Sequence, residues 1–249
     1  MPVPPGRPGT STMMCPTMPT TADEGLSRLL TWLSPAFPVG GYSYSHGIEY
    51  AVEAGLVTDA VGLRAWIEAV LRHGAGRTDA ILLGEAWRAE CAGDNGRLAV
   101  VLAWAEALRG TAELALESTA QGRAFLDGVQ AAWPHLRLAA FARLAAELDR
   151  APAYPVAVGV ACAVAGIGEN PARLACLHAF AANLVSAGVR LIPLGQSDGL
   201  RVVAALEEAV REVADETEGL GVADLGSAAW MADWASARHE TQFTRLFRS

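Results

Sequence analysis

Lysine is missing from the sequence altogether: all 19 basic residues are arginine, against 27 acidic ones. A Walker-type phosphate loop needs a lysine on the β- and γ-phosphates, and Schiff-base chemistry needs a lysine amine, so neither is available to this chain. Charged residues of any kind make up only 18% of the sequence. The net charge of −8 repels nucleic-acid backbones and anionic lipid, which argues against nucleic-acid or membrane-surface partners. Four cysteines (Cys15, Cys91, Cys162 and Cys176) form no CxxC pair and no zinc spacing. The last three lie in alanine-rich apolar stretches, where a thiol serves as a small core side chain in a reducing compartment. No apolar run reaches the ~20 residues of a membrane-spanning helix. The longest, from Ala153 to Ile167, is expected to be a buried core helix.

What the chain does have is apolar content, 52%, much of it alanine, the strongest helix former. Isoleucine, threonine and the aromatics, which favour strands, are sparse. The periodicity predicts an all-α protein, a single compact helical domain of roughly ten helices. Leu26, Leu29, Leu30 and Leu33 mark a first helix, and a short one covers Ile48 to Ala54. Thr58 or Asp59 is expected to cap a third, Thr78 to open a fourth, and Asp94-Asn95 to punctuate before a fifth. A long helix is expected from Thr111 to Trp133, another after Pro134, and the buried one after the break at residues 151–155. Asn170-Pro171 reads as an N-cap followed by proline in the first turn, and Ser197 or Asp198 as the cap of a helix running to about Glu216. Residues 1–22, rich in Pro, Thr and Met, are expected to be a disordered extension without a signal-peptide core, with the helical domain over 23–237 and a separate tail over 238–249.

Chemistry is hard to find. The five histidines (46, 73, 135, 178 and 239) show no HExxH and no i, i+4 pair, so a resident metal or cofactor is not expected. Gly41-Tyr42-Ser43-Tyr44-Ser45 lacks the final glycine of a nucleophile elbow. Gly195-Gln196-Ser197-Asp198-Gly199 carries no basic residue and reads as a turn and cap rather than a phosphate cradle. No catalytic residue is assigned.

Two segments stand apart. In Ser34-Pro-Ala-Phe-Pro-Val-Gly-Gly-Tyr-Ser-Tyr-Ser-His-Gly-Ile-Glu49, two prolines stop the preceding helix and two adjacent glycines permit unusual backbone. Its aromatics plug the core on one reading and form a rigid recognition surface on the other. The tail from Arg238 to Ser249 carries three arginines, two phenylalanines and a leucine. Those are residue types enriched at interface hot spots, although a frayed last helix is the plainer alternative.

Both segments resemble the UreF family of urease accessory proteins. SPAFPVGGYSYSHGIE is similar to that family's first signature, NLVSAGVRLIPLGQSDGLR (183–201) to its central one, and HETQFTRLFRS (239–249) to its last. The resemblance implies an all-helical, dimeric, cytoplasmic protein without enzymatic activity. It further implies a scaffold that joins the accessory protein UreD (also called UreH) to the GTPase UreG and couples GTP hydrolysis to nickel loading of apo-urease. By the same resemblance, the partner-binding residues are Tyr42, Ser43, His46 and Glu49 together with Arg245, Leu246, Phe247 and Arg248. The rival readings are an unrelated helical adaptor and a chaperone that binds nickel itself through His46, His178 or His239.

Overall fold

Helix signals dominate the chain, and the computed structural model, which describes residues 21–249, contains eleven α-helices, two single 3-10 turns and no strand among the described residues. Helix α1 (Ala22–Trp32) opens on a capping box: the Thr21 hydroxyl accepts from the Glu24 amide while the Glu24 carboxylate accepts from the Thr21 amide. After a 3-10 turn at Gly41–Ser43 come the short α2 (Ile48–Glu53) and α3 (Ala60–His73), the latter capped by the Asp59 carboxylate. Helix α4 (Ala75–Ala92) follows at once, then α5 (Asn95–Ala107), α6 (Ala112–Ala132), α7 (Leu136–Glu147) and α8 (Tyr154–Val164). The long α9 (Glu169–Leu191) and α10 (Gln196–Glu216) pack side by side, and α11 (Trp230–His239) lies against α2.

Three helix starts differ from the sequence expectation. Helix α4 begins at Ala75, not at Thr78, because Gly74 lets the chain turn directly out of α3. A Cβ at Gly74 would sit 2.8 Å from the Ala229 side chain and 3.0 Å from the Val70 carbonyl. Thr78 instead spends its hydroxyl inside the helix, on the Gly74 and Gly226 carbonyls. Asn170-Pro171 falls within the first turn of α9, whose N-cap is Gly168. In α10 the N-cap is Gly195, and Asp198 caps from the third helical position by accepting the Gly195 amide at 3.2 Å.

The core has two lobes. One gathers apolar side chains of α1, α4, α5, α6, α7 and α8, and the other those of α2, α3, α9, α10 and α11. As expected of the most apolar run, α8 is buried from Pro155 to Val164. Its contact with α4 depends on Gly159, where a Cβ would lie 2.4 Å from the Leu83 carbonyl oxygen. Helix α9 is long and apolar enough in composition to cross a membrane, but here it packs against α10, α4, α8 and α3. Cys91 and Cys162 are buried in the first lobe, and burial lifts the Cys162 thiol far above its usual range. Cys15 lies outside the described residues.

A buried charge cluster ties the lobes together. Arg173 is fully buried and donates to the Glu169 carboxylate and, at 3.2 Å, to the Ala214 carbonyl. Arg88 donates to Glu169, to Glu85 at 3.1 Å and to the Leu220 carbonyl, while Arg97 grips Glu85 with two bonds of 2.7 and 2.9 Å. Burial alone would raise the Glu85 carboxyl, but Arg97 and Arg88 outweigh it and hold it below the usual range. Glu169 is pushed up by burial despite its two arginines.

Candidate partner-docking surface

The segment after α1 is shaped by its prolines and glycines. Phe37 folds in beside Phe125, ring centroids 5.5 Å apart, and Tyr44 is buried, so these two aromatics plug the core. Tyr42 does not: 71% of its surface is exposed, and its carbonyl accepts a 2.8 Å bond from Arg190. His46 and Gly47 then both take left-handed backbone, with φ of 56° and 80°. For histidine that conformation is uncommon and costs energy, and here it turns the imidazole inward. At Gly47 no other residue fits, since a Cβ would stand 2.8 Å from the Ser236 amide of α11.

The tail does not extend into solvent. Beyond α11 it turns through hydrogen bonds from Thr241 and Gln242 to the Arg238 and His239 carbonyls, then runs back along the 43–49 loop. The Glu49 carboxylate, itself buried, accepts the backbone amides of Leu246 at 2.6 Å and Phe247 at 2.8 Å. The Arg248 amide donates to the Ser43 carbonyl at 2.8 Å, and the Ser45 amide to the Ser249 carbonyl at 2.7 Å. The Ser45 hydroxyl reaches the same carbonyl. Phe247 is buried beneath the Arg190 guanidinium, whose central carbon lies 4.3 Å from the ring centroid, a cation–π arrangement.

Beneath the tail lies a row of acids. Glu113 and Glu117 sit one turn apart on α6. Glu113 faces His239 Nδ1 at 2.6 Å and accepts from Arg245 at 2.7 Å. The other ring nitrogen of His239 faces Glu49 at 3.1 Å. Glu117 accepts the Ser249 hydroxyl at 2.7 Å and has His46 Nδ1 3.5 Å away, an ion-pair distance without hydrogen-bond alignment. Burial would push the Glu117 carboxyl up, but His46 and the Ser249 hydroxyl prevail and hold it below the ordinary range. The three acids are answered by other protein groups, while His46 Nδ1 is buried without a hydrogen-bond partner. Among the described residues no group of three His, Cys, Asp or Glu side chains is placed to hold a metal ion.

The structure therefore divides the eight residues singled out from the sequence. His46, Glu49 and Phe247 are buried and join the two segments, while Tyr42, Leu246 and Arg248 face solvent. Ser43 contributes its carbonyl, and Arg245 its ion pair with Glu113. Glu113, Glu117, Arg190 and Ser45 were not singled out. Only the i, i+4 spacing of the two glutamates offers a local signal, and it is indistinguishable from an ordinary polar face. Around the tail the exterior is apolar: Phe243 is fully exposed, and Trp230, Met231 and Trp234 project from α11. A second feature is a groove of about 990 Å³, lined by Leu26 and Leu30 of α1, Leu174 and Phe180 of α9, and Tyr42.

Exposed tryptophan, phenylalanine and arginine on a helical body are residue types enriched at protein–protein interfaces, the class of surface an assembly protein presents. The comparisons give that class a family. The UreF family model matches residues 57–207. The chain is 52% identical over 230 residues to "Urease accessory protein UreF" of Granulibacter bethesdensis, covering 92% of this chain and 96% of that one. Proteins of the same name from Rhodopseudomonas palustris (strain BisB5) and Magnetococcus marinus are 51% and 47% identical, covering 93% and 92% of this chain and 95% and 100% of theirs. The chain belongs to the UreF family of urease accessory proteins.

Proposed function

We propose that this chain is the non-catalytic scaffold of the urease maturation complex. It bridges the UreD/UreH accessory protein and the UreG GTPase, and so couples GTP hydrolysis to nickel delivery into apo-urease in the cytoplasm. The observation that carries this reading is the composite surface of α11 and the tail. Trp230, Trp234, Phe243 and Leu246 stand exposed beside arginines on an otherwise acidic chain. The lysine-free sequence supports a division of labour in which the nucleotide-binding loop resides in a partner. Nickel is cargo of the assembly in this reading.

The test is co-expression of the full chain with UreD and UreG followed by size-exclusion chromatography. A complex containing all three is expected. Deleting Thr241 to Ser249 is expected to abolish UreD co-purification while leaving the helical circular-dichroism spectrum intact. Unchanged co-purification of the shortened chain overturns the tail's role.

The groove along α9 supports a homodimer. Its exposed leucines meet the small Ala175, Ala179 and Ala182 positions of α9, which allow close approach of another apolar surface. Leu30→Glu is expected to shift the protein to the monomer mass in light scattering.

A further inference from the structure

The hold on the tail has the features of a ligand site rather than of a packed helix end. Over residues 246–249 the side chains alternate, Phe247 and Ser249 buried, Leu246 and Arg248 exposed, which is the period of an extended strand. Most of the recognition is through backbone: Glu49 takes two consecutive amides, the Ser43 carbonyl a third, and Ser45 donates to a carbonyl. Three side chains add selectivity: the Arg245 guanidinium on Glu113, the ring under Arg190 and the hydroxyl on Glu117. The link from Glu240 to Thr244 is largely exposed and is held at two points, where Glu240 accepts the Ala112 amide and Gln242 donates to Glu53, with Phe243 and Thr244 free of packing between those points and the anchored segment.

We propose that the 43–49 loop, with Arg190 and Glu117, is a peptide-binding cleft. Its ligand is the extended 245–249 segment of this chain, accepted in trans from a second copy or a free peptide as well as in cis. The chemistry recognised is an extended Arg-Leu-Phe-Arg-Ser strand, in which the first guanidinium, the aromatic ring and the terminal hydroxyl are read as side chains and the rest as backbone. A short tether gives the cis segment an effective concentration of about millimolar or above, so a free peptide meets strong competition in the unaltered protein. The inference does not rest on the accessory-complex reading, since it concerns only what the cleft holds.

The experiment titrates a fluorescent peptide spanning Thr241 to Ser249 into the full-length Phe247→Ala chain, whose own tail lacks the buried ring, and follows anisotropy. Saturable binding is expected, at least tenfold tighter than to the unaltered chain. It is expected to be lost with a peptide carrying alanine for phenylalanine, and weakened at least tenfold by adding Glu49→Ala to the protein. Equal binding to both chains, or none to a Phe247→Ala chain of unchanged helicity, overturns the proposal. Hydrogen–deuterium exchange on the unaltered chain provides a measurement free of any variant. Excess peptide is expected to accelerate exchange over residues 245–249 by displacing the cis tail, and exchange insensitive to peptide counts against a trans-accessible cleft.

Discussion

Two buried charge clusters organise this molecule, and they are built on opposite principles. In the first, three guanidiniums (Arg88, Arg97 and Arg173) face two carboxylates, Glu85 and Glu169, and the leftover donors reach the carbonyls of Ala214 and Leu220. Its cations stay charged at every accessible pH, and its members sit on α4, α5 and α9. In the second, three carboxylates (Glu49, Glu113 and Glu117) face one arginine, and the rest of their partners are imidazoles, a hydroxyl, the Gln121 side-chain amide and two backbone amides. Arg245, both backbone amides and the hydroxyl belong to the tail itself. One cluster is complete whenever the helices are packed; the other is complete only while the tail is seated.

The contrast is broken most severely by Arg173→Ala. Removing this fully buried guanidinium leaves Glu169 with Arg88 alone and the Ala214 carbonyl with the Thr217 hydroxyl alone, and a loss of about 3 kcal/mol is expected in denaturant unfolding. Gly47→Ala tests the other side, combining left-handed backbone with a Cβ 2.8 Å from Ser236 N. A loss of roughly 2 kcal/mol is expected, from about 1–2 for the backbone and a further share for the overlap. Glu49→Gln sharpens the difference. The amide keeps the shape but can accept at only one of the two positions the tail requires. Residues 245–249 are expected to exchange deuterium about tenfold faster, equivalent to ~1.4 kcal/mol, with the global unfolding midpoint nearly unchanged.

The smallest effect is acid titration. The Glu117 carboxyl is held below its unfolded value, so its contribution is fully present above an unfolded glutamate pKa of about 4.3 and is lost as pH falls through the lower folded value. In the arginine cluster Glu85 moves in that same direction and Glu169 in the opposite one, so their contributions partly cancel. Tail amide protection, taken relative to the intrinsic exchange rate at each pH from 7 down to 3, is therefore expected to fall before the near-ultraviolet signal of the core changes.

How much of this was legible beforehand depends on sequence separation. The helices were legible because their signals are local: Thr111 caps α6, Asp59 caps α3 and Asp94 caps α5, each within three residues of the amide it accepts. The buried course of α8 followed from its uninterrupted apolar run. One misplaced start has a tertiary cause, and the other two are shifts of two or three residues set by local glycines. At Gly74 tertiary closeness to Ala229 sets the break, and nothing in the neighbouring residues announces it. The two unusual segments were visible as anomalies in composition. That they meet was not visible, because Glu49 and Leu246 are 197 residues apart and neither carries a pattern that names the other. Nor did any pattern mark Arg173, which alone among the charged residues of α9 is fully buried.

The tryptophans of α11 carry a practical consequence. Trp230 and Trp234 are 74% and 45% exposed, whereas Trp32 and Trp87 are buried at 2% and 6%. Light emitted by the first pair is red-shifted by water and open to collisional quenching by iodide, while the second pair emits from an apolar, shielded setting. The protein thus carries an optical gauge on α11: a molecule seated there blue-shifts and protects the Trp230 and Trp234 share of the emission, while Trp104 of α5, 43% exposed, stays open to iodide and the buried pair stays shielded.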